Sequence, residues 1–250
     1  MGLKSASSLS LALGFGSVWT AGTKGPDAGI HRFDPRTLQE IAKIPIPGLV
    51  GSIGDGAVWV LNDALYRVNR DTNQVTAKID VGKDIAAMTA AEGSVWVLRD
   101  TGILSRIDPE TNQSVAEIRI GQRRMGRLDT SYYSGLVATE GSVWITESIS
   151  EGKLIRVDTK SNQVVAKIPV GNSPDDVVLG GGFIWVSIYF TNRSGHFVVK
   201  IDSRTNEILG KIFLRGTQPS LHASKDSLLA WGEDLKPGWR GRTYIWKIAY

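Results

Sequence analysis

The chain has 250 residues, of which 42% are hydrophobic and 22% charged, the composition of an ordinary globular protein. It contains no Cys, and this excludes disulfides, thiol catalysis and cysteine-based zinc sites. The net charge of +4 is far from the concentrated positive stripe of a nucleic-acid binder, and no apolar run reaches the length of a membrane-spanning helix.

A phrase of the type Gly-Ser-Val-Trp recurs along the chain, and "EGSVW" itself occurs twice, at 92–96 and 140–144. The N-terminal copy, "GFGSVW", fits this repeat better than the first residues fit a signal peptide. When the copies are aligned on the Trp, they are separated by 37 to 48 residues. The aligned residues are Trp19, Trp59, Trp96, Trp144, Trp185 and Trp231.

Two further phrases follow the Trp phrase. One has a central Arg or Lys, as in "LSRID" at 104–108, and occurs six times. The other, such as "TNQVTAKIDV" at 72–81, occurs five times and is missing after the last Trp. Each phrase is short, rich in β-branched residues and bounded by Gly, Pro, Asn or Asp, so each predicts a strand. The junction between the two phrases has the residues of a tight turn, and a weaker apolar stretch before each Trp predicts a fourth strand.

Four antiparallel strands repeated about every 40 residues predict a β-propeller. We expect an all-β, six-bladed propeller of four-stranded blades, with an incomplete last blade, in a single domain spanning residues 1–250. The blades are expected at approximately 7–46, 47–81, 82–120, 121–170, 171–214 and 215–250. Because the Trp and the central Arg or Lys recur from blade to blade, we expect them to build the scaffold and not to bind a ligand.

The third phrases, "TNQVTAKIDVG", "TNQSVAEIRIG" and "SNQVVAKIPVG", resemble the bacterial YVTN-type propeller repeat. The segment "SGLVATEGSVWITES" at 134–148 resembles the repeat of the virginiamycin B lyase family. That resemblance implies a propeller, and in the lyases it implies seven blades with a catalytic His, a Glu and a Mg²⁺ ion at the mouth of the channel. The chain departs from this pattern in its blade count and at Ser220, which stands where the family has its His. Glu147 of "WITE" matches the family motif.

Function is expected where the repeat is broken, since the recurring residues build the scaffold. The loops that join the second strand to the third, and one blade to the next, vary strongly in length, and the 121–135 segment is the longest. Variable loops on a rigid scaffold are a common place for binding residues, and Arg, Tyr and Trp are favoured there. The candidate binding residues are Arg123, Arg124, Arg127, Tyr132, Tyr133, Tyr189, Arg193, Trp239 and Arg240.

An enzymatic alternative rests on acidic residues expected near the channel mouth. Asp84, Asp175 and Asp176 are candidate ligands for Mg²⁺ or Ca²⁺, which prefer several oxygen ligands, and Glu147 and His222 are the candidate catalytic residues. Taken with these residues, the resemblance to virginiamycin B lyase implies a divalent-metal-assisted lyase or lactone hydrolase. The lack of a familiar catalytic motif favours instead a non-catalytic binding or scaffold module for a protein, peptide or small ligand, with no nucleic-acid partner.

The missing last phrase has a consequence for association. A three-stranded last blade leaves the outer edge at 242–250 without a partner strand, which predicts self-association through this edge. The compartment stays open: we expect a periplasmic or extracellular protein if a signal peptide lies upstream, and a cytoplasmic protein otherwise.

Overall fold

The computed structural model describes residues 11–22, 28–121, 132–148, 151–188, 196–214, 220–224, 226–234 and 242–249. The described residues form 23 strands and no helix, and therefore contain no helix that could cross a bilayer. The strands form six antiparallel sheets, five of four strands and one of three. This confirms the predicted fold class, an all-β propeller with six blades and a shorter last blade.

The chain divides into two compact units, one of residues 1–99 and 104–117 and the other of residues 100–103 and 118–250. Two complete sheets and most of a third belong to the first unit. The first sheet contains β1 (Leu11–Gly14), β2 (Ser17–Gly22), β3 (Gly29–Phe33) and β4 (Glu40–Ile44). The second contains β5 (Leu49–Gly54), β6 (Ala57–Leu61), β7 (Leu65–Asn69) and β8 (Val75–Ile79). The third contains β9 (Ile85–Ala91), β10 (Ser94–Arg99), β11 (Ile103–Asp108) and β12 (Gln113–Arg119).

The second unit contains the last three sheets. The fourth sheet contains β13 (Tyr132–Thr139), β14 (Ser142–Ser148), β15 (Lys153–Asp158) and β16 (Gln163–Pro169). The fifth contains β17 (Pro174–Gly180), β18 (Phe183–Ile188), β19 (His196–Asp202) and β20 (Ile208–Leu214). The sixth contains β21 (Ser220–Ala223), β22 (Ser227–Asp234) and β23 (Arg242–Ala249).

The repeated Trp side chains form the core between neighbouring sheets. Trp19, Trp59 and Trp96 are 0% exposed, Trp144 is 1% exposed and Trp185 is 2% exposed, which confirms their predicted burial. Trp19 belongs to a cluster with residues of β5, β6 and β7, and Trp144 to a cluster with residues of β17, β18 and β19. Each of these two Trp side chains therefore helps to bury the face between its own sheet and the next.

Four of the five positions of "EGSVW" have a structural reason in the third blade. Glu92 and Gly93 both have positive φ, 60° and 67°, as the tight turn between two antiparallel strands requires. Ser94 accepts a hydrogen bond from Arg106 Nε at 2.8 Å, and the Arg106 guanidinium lies 5.1 Å from the Trp96 ring centroid. The phrase thus builds a hairpin turn, a hydroxyl anchor and an aromatic platform for the Arg of the third strand.

The turns between the third and fourth strands are built by their first residue. Asp158 Oδ1 accepts hydrogen bonds from the backbone N–H of Ser161 at 2.7 Å and of Lys160 at 3.1 Å. These bonds, that of Ser161 first, lower the pKa of Asp158. Asn162 closes the turn with a φ of 56°, a conformation that Asn tolerates better than most residues. The predicted tight turns are confirmed.

Candidate polar site at the strand ends of the second unit

Polar side chains gather in the second unit where β13 and β17 begin and where β14 and β18 end. Two residues after the repeated Trp, the first three blades carry Ala21, Leu61 and Leu98. The fourth and fifth blades carry Thr146 and Ser187 there, which are 0% and 1% exposed. A buried hydroxyl in place of an apolar side chain marks these two blades as different from the others.

Tyr133 and Glu147 face each other across this part of the fourth sheet. They are register partners on β13 and β14, so their side chains lie on the same face of the sheet. Tyr133 is 3% exposed and Glu147 is 9% exposed. The Tyr133 hydroxyl is buried and lies near the Glu147 carboxylate, but it forms no well-aligned hydrogen bond to any described residue. Burial first, and then the negative charge of Glu147, raise the pKa of the Tyr133 phenol, which therefore stays protonated and able to donate.

Two glycines form the wall beside this pair. A Cβ at Gly121 would lie 2.2 Å from the Tyr133 hydroxyl oxygen and 3.3 Å from Glu147 Oε1. A Cβ at Gly102, whose φ is 77°, would lie 2.9 Å from the same hydroxyl and 2.7 Å from the Gly121 carbonyl oxygen. Only glycine leaves room for the Tyr133 ring to reach this backbone.

Thr146 joins the fourth blade to the fifth. Its hydroxyl accepts a hydrogen bond from the Gly135 N–H at 2.7 Å and donates to the Asp175 carbonyl oxygen at 2.6 Å. Ser134 donates to the same carbonyl oxygen at 3.1 Å. The register shift between Tyr133 and Leu136 sets Ser134 and Gly135 out of the regular ladder, which lets them make these contacts.

Asp176 continues the network from the fifth blade to the sixth. Its carboxylate accepts hydrogen bonds from the N–H of Val177 at 2.9 Å and of Leu221 at 3.0 Å, while Ser187 Oγ accepts from the Asp176 N–H at 2.9 Å. Burial raises the pKa of Asp176, and the Leu221 N–H partly opposes this shift. Asp176 therefore ties two blades together through buried backbone donors.

The structure does not assemble the expected metal ligands. No group of three or more His, Asp or Glu side chains in the described parts of the chain could hold a metal ion. Asp176 is engaged with backbone donors, and Asp84 belongs to the first unit, in the link before β9 rather than in that strand. His222 lies on β21 with its side chain exposed, opposite Leu229 in the register.

The predicted binding residues fall into two groups. Tyr133 lies in β13, which begins at Tyr132 as the sequence predicts, and its side chain is buried. For Tyr132 the structure describes the backbone only. The remaining candidates lie outside the described residues: Arg123, Arg124, Arg127, Tyr189, Arg193, Trp239 and Arg240.

Sequence reasoning missed the hydroxyls of Ser134, Thr146 and Ser187. A signal was present for two of them, since Thr146 and Ser187 replace apolar residues at one position of the repeat. Ser134 carried no such signal, because its role depends on the register shift at the start of β13.

The sheets and this polar site define the class: the chain is a six-bladed β-propeller with a buried polar network at the strand ends of its second unit. No protein-family model matches the sequence, and no curated protein matches it. The resemblance to YVTN-type and virginiamycin B lyase repeats therefore stays a prediction.

Among solved structures, hydrazine synthase from Kuenenia stuttgartiensis is similar to this chain, with a TM-score of 0.70 and 12% sequence identity. The similarity covers 94% of this chain and 79% of that chain. At this identity the likeness bears on the fold alone.

Proposed function

We propose that this propeller is a non-catalytic binding module, and that the Tyr133–Glu147 pair receives a basic side chain of a peptide or protein partner. The observation that carries the proposal is the buried Tyr133 hydroxyl, which forms no well-aligned hydrogen bond although it lies next to the Glu147 carboxylate. A buried unsatisfied polar group costs about 1–3 kcal/mol, so its retention needs a reason. A ligand that completes the site supplies one.

The chemistry of the pair favours a cationic group. Glu147 is an acceptor when ionised, and the described residues place no Lys or Arg within ion-pair distance of its carboxylate. Hydrogen bonds from an ammonium or guanidinium group to a carboxylate are about twice as strong as those between neutral groups. The Tyr133 phenol, being protonated, adds a donor for a carbonyl oxygen of the same ligand.

The segments that the sequence predicts as variable loops are the rest of the proposed surface. The 122–131 segment leads directly into β13, so Arg123, Arg124 and Arg127 are close in sequence to Tyr133. The residues after β18 and β22, including Tyr189, Arg193, Trp239 and Arg240, belong to the same proposed set. Loops of this kind vary without disturbing the scaffold, which suits a binding role.

A random peptide display library, selected on the immobilised protein, tests the proposal. We expect enrichment of peptides that contain Arg or Lys, and a loss of about tenfold or more in their affinity for Glu147→Gln, since tenfold is about 1.4 kcal/mol. Glu110→Gln, an exposed carboxylate in a turn, is the matched control and should bind as the unmodified protein does. Equal binding by Glu147→Gln, or no enrichment of basic peptides, would contradict the proposal.

A thermal-shift measurement with Mg²⁺, Ca²⁺ and EDTA separates this function from the lyase or lactonase alternative. An ion that binds only the folded state raises the melting temperature. A melting temperature that rises with either ion and falls with EDTA would favour the metal-assisted enzyme over the binding module.

A further inference from the structure

The first unit contains a cleft that the proposed function does not use. Its volume is about 490 Å³, within the range of small-molecule sites. Three short stretches line it: residues 47–49 before and at the start of β5, residues 61–63 at the end of β6, and residues 82–85 before and at the start of β9. The cleft therefore lies where two successive blade-to-blade links meet the turn that follows β6.

The cleft has an apolar part. Leu49 and Leu61 are register partners on β5 and β6, and Ile85 begins β9 beside them. All three side chains are partly exposed, so they present apolar surface to whatever enters. At Gly48 the backbone lies close to the end of β6, because a Cβ there would lie 2.8 Å from the Leu61 carbonyl oxygen.

One charged residue of the lining is already satisfied. Asp63 accepts hydrogen bonds from Lys78 Nζ at 2.8 Å and from the Tyr66 hydroxyl at 2.7 Å. Both bonds, that of Lys78 first, lower the pKa of Asp63. The Asp63 carboxylate is thus paired with the Lys78 ammonium, and this pair carries no net charge that a ligand could neutralise.

Two other charged residues of the lining have no partner among the described residues. Lys83 and Asp84 are exposed and follow each other in the chain, yet neither forms an ion pair or a side-chain hydrogen bond with any described residue. Asp84 has a φ of 59°, a left-handed conformation that few residues other than Gly, Asn and Asp adopt readily. The cleft therefore presents one free ammonium, one free carboxylate and the Asn62 amide beside apolar side chains.

We propose that this cleft binds a small zwitterion, namely an α-amino acid with an apolar side chain. The Lys83 ammonium pairs with the ligand carboxylate, the Asp84 carboxylate pairs with the ligand ammonium, and Leu49, Leu61 and Ile85 contact the ligand side chain. A ligand that carries both charges satisfies both residues at once, whereas a ligand with a single charge satisfies one of them and leaves the other unpaired.

Isothermal titration calorimetry with three probes tests this inference. L-Leucine carries both charges, isocaproate lacks the ammonium group and isoamylamine lacks the carboxylate. We expect leucine to bind about tenfold more tightly than either analogue, because each analogue can form only one of the two ion pairs. Equal affinities for the three probes, or no heat from leucine at millimolar concentrations, would overturn the inference.

Two variants assign the charges. Lys83→Met should weaken leucine binding about tenfold and leave isoamylamine unaffected, and Asp84→Asn should weaken leucine and leave isocaproate unaffected. Asn suits the backbone at this position, so the second variant keeps the link intact. Lys160→Met, an exposed turn residue of the second unit, is the matched control and should bind leucine normally. Unchanged leucine affinity in both cleft variants would place the ligand elsewhere and overturn the inference.

Discussion

The Arg67 guanidinium lies 5.9 Å from the Trp59 ring centroid, while the corresponding distance is 4.9 Å for Arg32 over Trp19. The longer separation has a local cause. Arg32 Nε donates to Ser17 Oγ at 2.8 Å, but the second blade has Ala57 at the position of Ser17. Because position 57 has no hydroxyl to accept from Arg67, the Arg67 guanidinium is not held as close to the Trp59 ring.

The missing hydroxyl also affects a hydrogen bond between the second blade and the third. Arg32 Nη1 donates to Asn73 Oδ1 at 2.9 Å, one blade further on. The equivalent acceptor for Arg67 is Asn112 Oδ1, which is buried and has no hydrogen-bond partner among the described residues. The second blade therefore lacks two bonds that the first blade makes.

Ala57→Ser should restore both bonds and stabilise the protein. We expect a gain of about 1 kcal/mol in the free energy of unfolding, the usual net value of one or two such hydrogen bonds. Urea unfolding measures it. The same substitution in an Arg67→Ala background should give no gain, because the added hydroxyl then has no guanidinium to accept from. A gain of equal size in that background would show that the added hydroxyl does not act through Arg67.

Trp144→Ala should destabilise the protein by about 3–5 kcal/mol, because it removes a fully buried aromatic side chain between two sheets. It also removes the platform on which Arg156 lies, 4.9 Å from the ring centroid. The control is Ile245→Ala, since Ile245 is 72% exposed and its truncation should change the urea midpoint little. Similar midpoints for the two variants would contradict the assignment of Trp144 to the core.

Gly121→Ala should destabilise the fourth blade, because its Cβ would lie 2.2 Å from the Tyr133 hydroxyl oxygen. Tyr133→Phe alone should be neutral or stabilising by about 1 kcal/mol, since it removes a buried hydroxyl without a partner. Combining the two should recover much of the loss, because the clashing atom is gone. Additive effects in this double-mutant cycle would mean that the two positions do not interact.

Asp176 predicts a pH dependence of stability. Burial raises its pKa above the ordinary value of 3.8, so the folded state favours the protonated carboxyl. The stability of the protein should therefore fall, relative to Asp176→Asn, as pH rises from about 3.8 through the raised pKa, and level off above it. Urea unfolding of both proteins over this range, with the exposed Glu110→Gln as control, measures the difference. A difference that is flat or grows with pH would contradict the prediction.

The edge of the last blade predicts association. β23 pairs with β22 and, among the described strands, has no partner on its other side; Ile245 on β23 is 72% exposed. Unpaired strand edges with apolar side chains favour pairing with another chain. Sedimentation velocity should show a concentration-dependent larger species that Ile245→Lys reduces. A single monomeric species at all concentrations would exclude association through this edge.

The scaffold was readable from the sequence because its parts recur. The Trp of the second strand, the Arg of the third and the Asp or Asn of the turn each repeat, and their contacts recur with them in several blades. Repetition separates a structural role from chance, even in a single sequence. The same comparison exposes Thr146 and Ser187, whose hydroxyls stand at an otherwise apolar position.

The candidate sites were less readable because they depend on geometry between distant segments. Tyr133 was predicted at the start of a strand, but nothing in "TSYYSG" indicates that its side chain is buried beside Glu147. The cleft of the first unit is lined from three stretches that share no motif. Lys83 and Asp84 stand out only when the structure leaves both without a partner.

The bond from Arg32 to Asn73, and that from Arg156 to Asn206 at 3.0 Å, both run forward from one blade to the next. The second, third and fourth blades carry both the Arg donor and the Asn acceptor, whereas the first blade has Leu38 at the acceptor position and the fifth has Lys200 at the donor position. A duplicated copy of a blade that carries both residues would offer its successor the same donor and its predecessor the same acceptor. Duplication or engineering of additional blades is therefore expected to succeed best with copies of these three blades.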